Sequence, residues 1–257
     1  MRQGSRRTIA ALATLALVVA LQTTSSANHS WNGYHWARTA NPFTLDLGDN
    51  LSSVWKQFLH IASSDWSQST VLDTVVVSGR AKRNCRPTSG RVEVCNAAYG
   101  STGWLGVAQI WVSGGTHITQ ATVKINDTYF NTSTYNKPEW RQMVVCQEVG
   151  HTFGLDHQDT NFSNTNLGTC MDYTNNPLGP PSNTDPNKHD YDELVTIYTH
   201  RDSTTTIGAA TPSGALDAVD NPSEWGQLMK VSHGGKTQVF ERDFGNGHRI
   251  VTFVIWA

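Results

Sequence analysis

The chain has 257 residues, which is enough for one or two domains with a substantial core. Its 19 lysines and arginines and 21 aspartates and glutamates give a formal net charge of -2. Because binding to nucleic-acid phosphates needs a positive face, this balance argues against a nucleic-acid partner.

The N-terminal residues 1–27 have the layout of a secretory signal peptide. Three arginines precede an apolar run at positions 9–21, and small and polar residues then lead to Ala27. About thirteen apolar residues are too few to span a bilayer. We therefore expect cleavage after Ala27, an extracellular mature protein with a formal charge of -5, and no membrane contact after cleavage.

The segment up to residue 126 predicts a helix among extended segments. Residues 34–47 favour an extended conformation, and Asp49 or Asn50 is suited to cap a helix. The helix has an apolar face at helical spacing, which consists of Val54, Phe58, Ile61, Ala62 and Trp66. Strands are predicted at 71–78, 104–113 and 118–126, and alternation in the last is typical of a half-exposed or edge strand.

The second half predicts two helices and a separate β-rich tail. One helix begins at Pro138 and Glu139, which suit a helix N-terminus, and a shorter amphipathic helix covers residues 190–200. The composition then indicates a linker at 203–215 and a small C-terminal segment at 216–257. That segment contains predicted strands at 226–232, 236–242 and 249–256. Since some 40 residues form a poor independent core, we expect the tail to pack on the main domain or on a partner.

The stretch CQEVGHTFGLDH, residues 146–157, carries candidate metal ligands. Gln147 and His151 are four residues apart, so one helix face can present both to the same ion. Glu148 is the next residue on the helix after Gln147, so its carboxylate lies beside the ion and can accept a proton from activated water. Gly154 permits a backbone turn with positive φ, which would let His157 supply a third ligand.

This stretch resembles the zinc-binding motif of the metzincins, a clan of zinc endopeptidases, and especially of secreted bacterial peptidases related to matrixins. Four positions of H-E-x-x-H-x-x-G-x-x-H are filled, while Gln147 replaces the first histidine. Downstream, CMDY places Met171 where the family has its Met-turn, and Tyr173 matches the M-x-Y of astacins and serralysins. The resemblance covers about residues 34–201.

The resemblance implies an α+β fold at residues 28–202. A metzincin-like catalytic domain would have a twisted mixed β-sheet, an active-site helix, a Met-turn and a closing C-terminal helix, here followed by the small β appendage. It also implies a secreted monomeric zinc endopeptidase. Gln147, His151 and His157 would hold one zinc, Glu148 would be the general base, and Tyr173 would stabilise the oxyanion. A protein or peptide substrate would add to the predicted edge strand 118–126.

The four cysteines are expected to form disulfides in an oxidising compartment. Sequence alone permits three pairings, of which we favour Cys85 with Cys95 because these bracket a turn-rich segment. The resemblance implies that Cys146 pairs with Cys170, because a Met-turn lying under the active-site helix would bring the two sulfurs together.

The replacement of histidine by Gln147 leaves alternatives open. An amide oxygen is a neutral and harder donor than imidazole, so zinc affinity should fall. Gln147 could bind through its carbonyl oxygen, or Tyr173, His29 or His35 could complete the ligand set. In the third alternative the site is degenerate and the chain is a non-catalytic secreted binding protein on the same fold.

Other polar residues favour structural roles. The oxygen-rich cluster Asp156, Asp159, Asn161 and Asn164 is a candidate for calcium, but its spacing fits no EF-hand loop and favours Asx turns. We expect solvated or hydrogen-bonded roles for four further histidines, namely His60, His117, His189 and His200.

Overall fold

The computed structural model describes residues 29–81, 84–159, 161–209, 220–232 and 234–257. The expected signal peptide and positions 210–215 of the expected linker lie outside these ranges. No helix in the described ranges is both long and apolar enough to cross a membrane.

The described elements form an α+β fold. The strands are β1 (His35–Trp36), β2 (Phe43–Asn50), β3 (Leu72–Ser78), β4 (Val92–Ala97), β5 (Trp104–Ser113), β6 (His117–Asn126), β7 (Gln227–Val231), β8 (Thr237–Gly245) and β9 (His248–Trp256). The α-helices are α1 (Ser53–Trp66), α2 (Asp127–Phe130), α3 (Pro138–His151) and α4 (Lys188–Ile197).

One mixed sheet joins these strands in the order β3-β2-β4-β6-β5-β9-β8-β7, and β1 pairs with β6. The pairs β2–β3, β2–β4 and β4–β6 are parallel, whereas β5 and the C-terminal strands pair antiparallel. The large buried core includes side chains of the sheet, α1 and α3. The mixed sheet with helices confirms the predicted α+β class.

The prediction that residues 118–126 form an edge strand is wrong. Strand β6 lies between β4 and β5 and is buried over nearly its whole length, including the polar side chains of Thr122 and Lys124. Lys124 forms an ion pair with Asp220 of the C-terminal segment. The polar alternation of β6 therefore reflects a second buried face and not a solvent-exposed one.

The C-terminal strands extend the main sheet. Strand β9 pairs with β5 from Trp104↔Trp256 to Val112↔Arg249, and β8 and β7 continue beyond it. Behind β5 and β9, a second apolar cluster consists of Trp104, Val107, Trp111, Trp225, Ile250 and Val254. The expected packing of the tail on the main domain thus takes the form of added strands.

Several local predictions need correction. Ser52 precedes α1 as the N-cap residue in place of Asp49 or Asn50, and Val54 and Ile61 are exposed. Strand β4 was not predicted, because the buried ion pair between Arg91 and Glu93 makes this segment polar. Helix α4 begins two residues early, where Asn187 and Asp190 form a capping box; Val195 of its predicted apolar face is exposed.

Asp65 on α1 gives a testable dependence of stability on pH. The pKa of Asp65 is raised from 3.8 to about 6, mainly by burial and to a smaller extent by the nearby Asp185 carboxyl group. Since the folded state holds the proton more tightly than the unfolded state, this group's contribution is fully present below pH 3.8 and is lost as the pH rises through about 6. We expect Asp65→Asn to raise the melting temperature relative to wild type at pH 7.5, and to raise it much less at pH 4. The exposed Asp73→Asn is the control, and an equal effect of Asp65→Asn at both pH values would contradict the account.

Candidate metal centre

Helix α3 presents Gln147, Glu148 and His151 inside the protein. The helix starts with Pro138 and Glu139 in its first turn, and its residues are buried from Trp140 to its end. Gln147, Glu148 and His151 each have a relative exposure of 0%. Bulk water therefore cannot hydrogen-bond to their polar atoms.

A glycine turn brings His157 back to the end of α3. Gly154 has φ +95°, and a Cβ atom at this position would lie only 2.0 Å from the carbonyl oxygen of Tyr34. The chain can turn here only with glycine. As a result, the rings of His151 and His157 lie 4.5 Å apart between centroids, at an interplanar angle of 65°.

The two imidazoles are oriented with the same nitrogen free. His151 Nδ1 lies 2.9 Å from the carbonyl oxygen of Leu155, and His157 Nδ1 lies 3.4 Å from Asp156 Oδ1. The opposite nitrogen, Nε2, is buried without a hydrogen-bond partner in both residues. The pKa of His151 is lowered well below its ordinary value, mainly by burial and to a smaller extent by the neighbouring His157, so its ring is neutral. A neutral ring held through Nδ1 is the usual arrangement of a metal-ligating histidine.

Gln147 also has one end held and one end free. Its Nε2 donates to the carbonyl oxygen of Cys170 at 2.5 Å. Its Oε1 is buried without a partner. This bond fixes the amide so that the carbonyl oxygen, the only end able to bind a cation, is the unpaired one.

These three atoms fit the donor set of a zinc ion. A buried donor or acceptor without a partner costs about 1–3 kcal/mol, so three such atoms on one helix and its following turn form an unfavourable cluster. Imidazole nitrogen and oxygen ligands are both found in zinc sites. The residues present therefore fit the metal that the sequence motif implies.

Glu148 lies against strand β5. Burial raises the pKa of Glu148 well above its ordinary value, and the nearby backbone N–H of Ala108 only partly opposes this rise. A Cβ atom at Gly106 of β5 would lie 2.5 Å from Glu148 Oε1. Gly106 therefore provides the space for this carboxyl group.

Met171 lies directly beneath α3. A Cβ atom at Gly150 would come within 2.6 Å of Met171 Sδ. The Cys146–Cys170 disulfide joins the helix to the same turn, with the two Cα atoms 6.0 Å apart, and Cys85 pairs with Cys95 as expected. The turn around Met171 thus supports the helix that carries the candidate ligands.

Tyr173 is at the site, but its hydroxyl group is engaged. It donates to the carbonyl oxygen of Trp256 at 3.2 Å, and burial raises the pKa of Tyr173 well above its ordinary value. The other two alternative ligands, His29 and His35, contact other side chains. His29 Nε2 lies 3.1 Å from Asp190 Oδ1, and His35 Nε2 lies 3.0 Å from His200 Nε2.

Strand β9 covers the site, which the sequence did not predict. The ring of Phe253 stacks on His151 with centroids 4.3 Å apart and an interplanar angle of 6°. Lys230 of β7 lies 2.5 Å from Asp156, next to His157. The C-terminal segment therefore closes over the candidate ligands.

The candidate calcium cluster forms turns. Asp159 Oδ1 accepts the backbone N–H of Asn161, and Asn161 Oδ1 accepts that of Ser163. Asn164 also donates to Asp159, while Asp156 contacts Lys230. These oxygens are bound within the protein, which does not support calcium here.

The comparisons with known proteins found similarity at the level of structure. No family model and no curated protein matches the sequence. The structure is similar to that of myroilysin, with a TM-score of 0.39 and 12% identity, over 68% of this chain and 100% of that chain. It is also similar to high choriolytic enzyme 1, a hatching enzyme zinc-protease from the medaka fish Oryzias latipes, with a TM-score of 0.34 and 11% identity, over 68% of this chain and 100% of that chain. At these TM-scores the likeness carries no functional argument.

Gly150 tests the contact between α3 and Met171. We expect Gly150→Ala to lower the free energy of unfolding by about 1–3 kcal/mol, because the added methyl group would overlap the Met171 sulfur and the Trp66 ring. In a Met171→Ala background the loss should be smaller, since one of these obstacles is gone. Chemical denaturation of the four proteins measures the difference. An equal loss in both backgrounds would contradict the packing of Met171 under Gly150.

Proposed function

We propose that the chain is a secreted, zinc-dependent endopeptidase of metzincin type. Gln147, His151 and His157 hold the ion, and Glu148 is the general base. The observation that carries this proposal is the group of three buried, unpartnered atoms, Gln147 Oε1 and the two imidazole Nε2 atoms. The Zn²⁺ ion supplies Lewis acidity when bound, which lowers the pKa of water to about 7.

Glu148 has the properties of a proton carrier. Its carboxyl group lies beside the backbone N–H of Ala108, which favours the carboxylate, and has no side-chain hydrogen-bond partner. Burial raises its pKa, so that it can accept a proton from the attacking water and release it to the leaving amine. The hydroxyl group of Tyr173 donates to the scissile carbonyl oxygen as negative charge develops there.

The peptide substrate would need the edge of β5. An extended peptide binds to a sheet edge through the free backbone N–H and C=O groups of the edge strand. Strand β5 passes Glu148 at Gly106, and β9 pairs with it there. The proposed substrate position is therefore along β5, in place of the 118–126 strand expected from the sequence.

We further propose that the described structure is the closed form of this enzyme. Strand β9 pairs with β5, Phe253 covers His151, and the Trp256 carbonyl accepts the Tyr173 hydroxyl. A carbonyl of the chain thus takes the bond proposed for the substrate carbonyl. Hydrolysis requires that β9 move away from β5.

The second candidate is a non-catalytic secreted binding protein on the same fold. The complete burial of Glu148 and His151 beneath β9 favours it, because a site that never opens cannot bind a substrate. Metal affinity and the effect of loosening β9 distinguish the two functions.

Gln147 controls zinc affinity in this proposal. Loss of a residue that only contacts a metal ligand typically weakens metal binding about 10–100-fold. Because Gln147 is proposed to bind the ion directly, Gln147→Ala should weaken zinc binding by at least that much. Gln147→His should strengthen it. Competition with a chromophoric chelator measures both dissociation constants. Gln142→Ala, on the same helix, is the matched control. Equal affinity of wild type and both Gln147 variants would exclude Gln147 as a ligand.

Phe253 tests the closed form. Phe253→Ala removes the ring that covers His151, so we expect faster hydrolysis of casein or a quenched peptide than by wild type. Phe244→Ala, an exposed aromatic residue on β8, is the matched control and should leave the rate unchanged. Adding Glu148→Gln to Phe253→Ala should abolish hydrolysis. Zinc binding without hydrolysis in Phe253→Ala would favour the binding-protein function.

A further inference from the structure

A second group of imidazole and carboxylate atoms lies outside the Gln147 site. His35 belongs to β1, and His200 and Asp202 follow α4. Their ligand atoms lie within 4.8 Å of one another. The group therefore joins the beginning of the described chain to the segment that follows the last helix of the main domain.

The distances are close to those between ligands of one zinc-like ion. The two Nε2 atoms of His35 and His200 lie 3.0 Å apart, and Asp202 Oδ1 is 3.5 Å from the first and 3.7 Å from the second. Bonds of about 2.0–2.1 Å place tetrahedral ligands about 3.3–3.4 Å apart. Ligands at adjacent octahedral positions, at similar bond lengths, would be about 3.0 Å apart. The two Asp202 distances are nearer the tetrahedral value and the distance between the imidazoles equals the octahedral one, so the triangle has the size of one face of a zinc-like ion's ligand shell.

Two of the three ligand atoms, those of His35 and Asp202, are presented by a contact on the far side of the group. His35 Nδ1 lies 2.7 Å from the carbonyl oxygen of Gly33, so Nδ1 carries the proton and Nε2 presents its lone pair toward His200, where it can bind a cation. The other carboxylate oxygen of Asp202, Oδ2, accepts from the Arg38 guanidinium at 2.9 Å and from the Arg38 backbone N–H at 3.1 Å. This leaves Asp202 Oδ1 facing the imidazoles.

A neighbouring histidine and solvent access complete the site. His117 pairs with His35 in the β1–β6 register, and its Nε2 lies 3.2 Å from Asp202 Oδ1. It therefore helps to orient the carboxylate. The His200 side chain is 50% exposed, which gives an ion a route from solvent and leaves a fourth ligand position to water.

We propose that His35, His200 and Asp202 form a second binding site for a zinc-like divalent transition-metal ion. Two imidazoles and one carboxylate are suitable ligands for Zn²⁺. A bound ion ties β1 to the segment after α4 and stabilises the folded chain, because the unfolded chain does not hold these three ligands together. The site uses none of the residues of the proposed peptidase centre, so it stands or falls independently.

The test compares zinc binding by full-length mature wild type, His200→Ala and His60→Ala. The His200 side chain is half exposed and His60 is exposed, so both variants should fold. We expect His200→Ala to bind one Zn²⁺ fewer per chain than wild type and His60→Ala, as measured by equilibrium dialysis. Because Gln147, His151 and His157 are intact in all three proteins, the proposed peptidase centre contributes equally to each.

A second measurement uses stability. Added Zn²⁺ should raise the melting temperature of His60→Ala as much as that of wild type, and the rise should be smaller in His200→Ala and in the isosteric Asp202→Asn. The second site's zinc dissociation constant should rise by more than about tenfold in either ligand variant. Equal zinc stoichiometry and equal thermal shifts in wild type and His200→Ala would overturn the proposal and show that the cluster is a hydrogen-bonded network.

Discussion

The candidate centre depends on lone pairs that are buried without hydrogen bonds. Gln147 Oε1 and the Nε2 atoms of His151 and His157 have no partner, although the other polar end of each side chain is held. Water is the usual partner of such atoms at a surface, and burial removes it. One shared cation would satisfy all three. The rest of the local structure, from the Gly154 turn to the Cys146–Cys170 disulfide, fixes these groups in place.

The position of β9 links the centre to the whole sheet. Hydrogen bonding to β5 places Phe253 on His151 and the Trp256 carbonyl at the Tyr173 hydroxyl. The same strand contributes Ile250 and Val254 to the apolar cluster behind the sheet. Opening the centre would therefore require breaking strand pairing and exposing apolar surface. This coupling gives the C-terminal segment control over access to the candidate ligands.

Sequence patterns predicted the elements whose signals are local. Pro138 and Glu139 correctly marked the start of α3. The disulfide of Cys146 with Cys170, which the family resemblance implied, is also present. Patterns failed where distant residues decide burial. Lys124 and Thr122 of β6 look solvent-facing, yet they are buried, and Lys124 pairs with Asp220 almost a hundred residues later.

Contacts between residues distant in the chain also explain why the sequence did not predict some features of the centre. No motif indicates that Phe253 stacks on His151, since the contact depends on the β5–β9 register.

Anomalous diffraction at the zinc edge, from crystals of the mature protein grown with zinc, tests most directly whether these three side chains bind zinc. We expect a strong peak bonded to Gln147 Oε1 and to the Nε2 atoms of both histidines. Well-ordered electron density with no peak between these three atoms would contradict it.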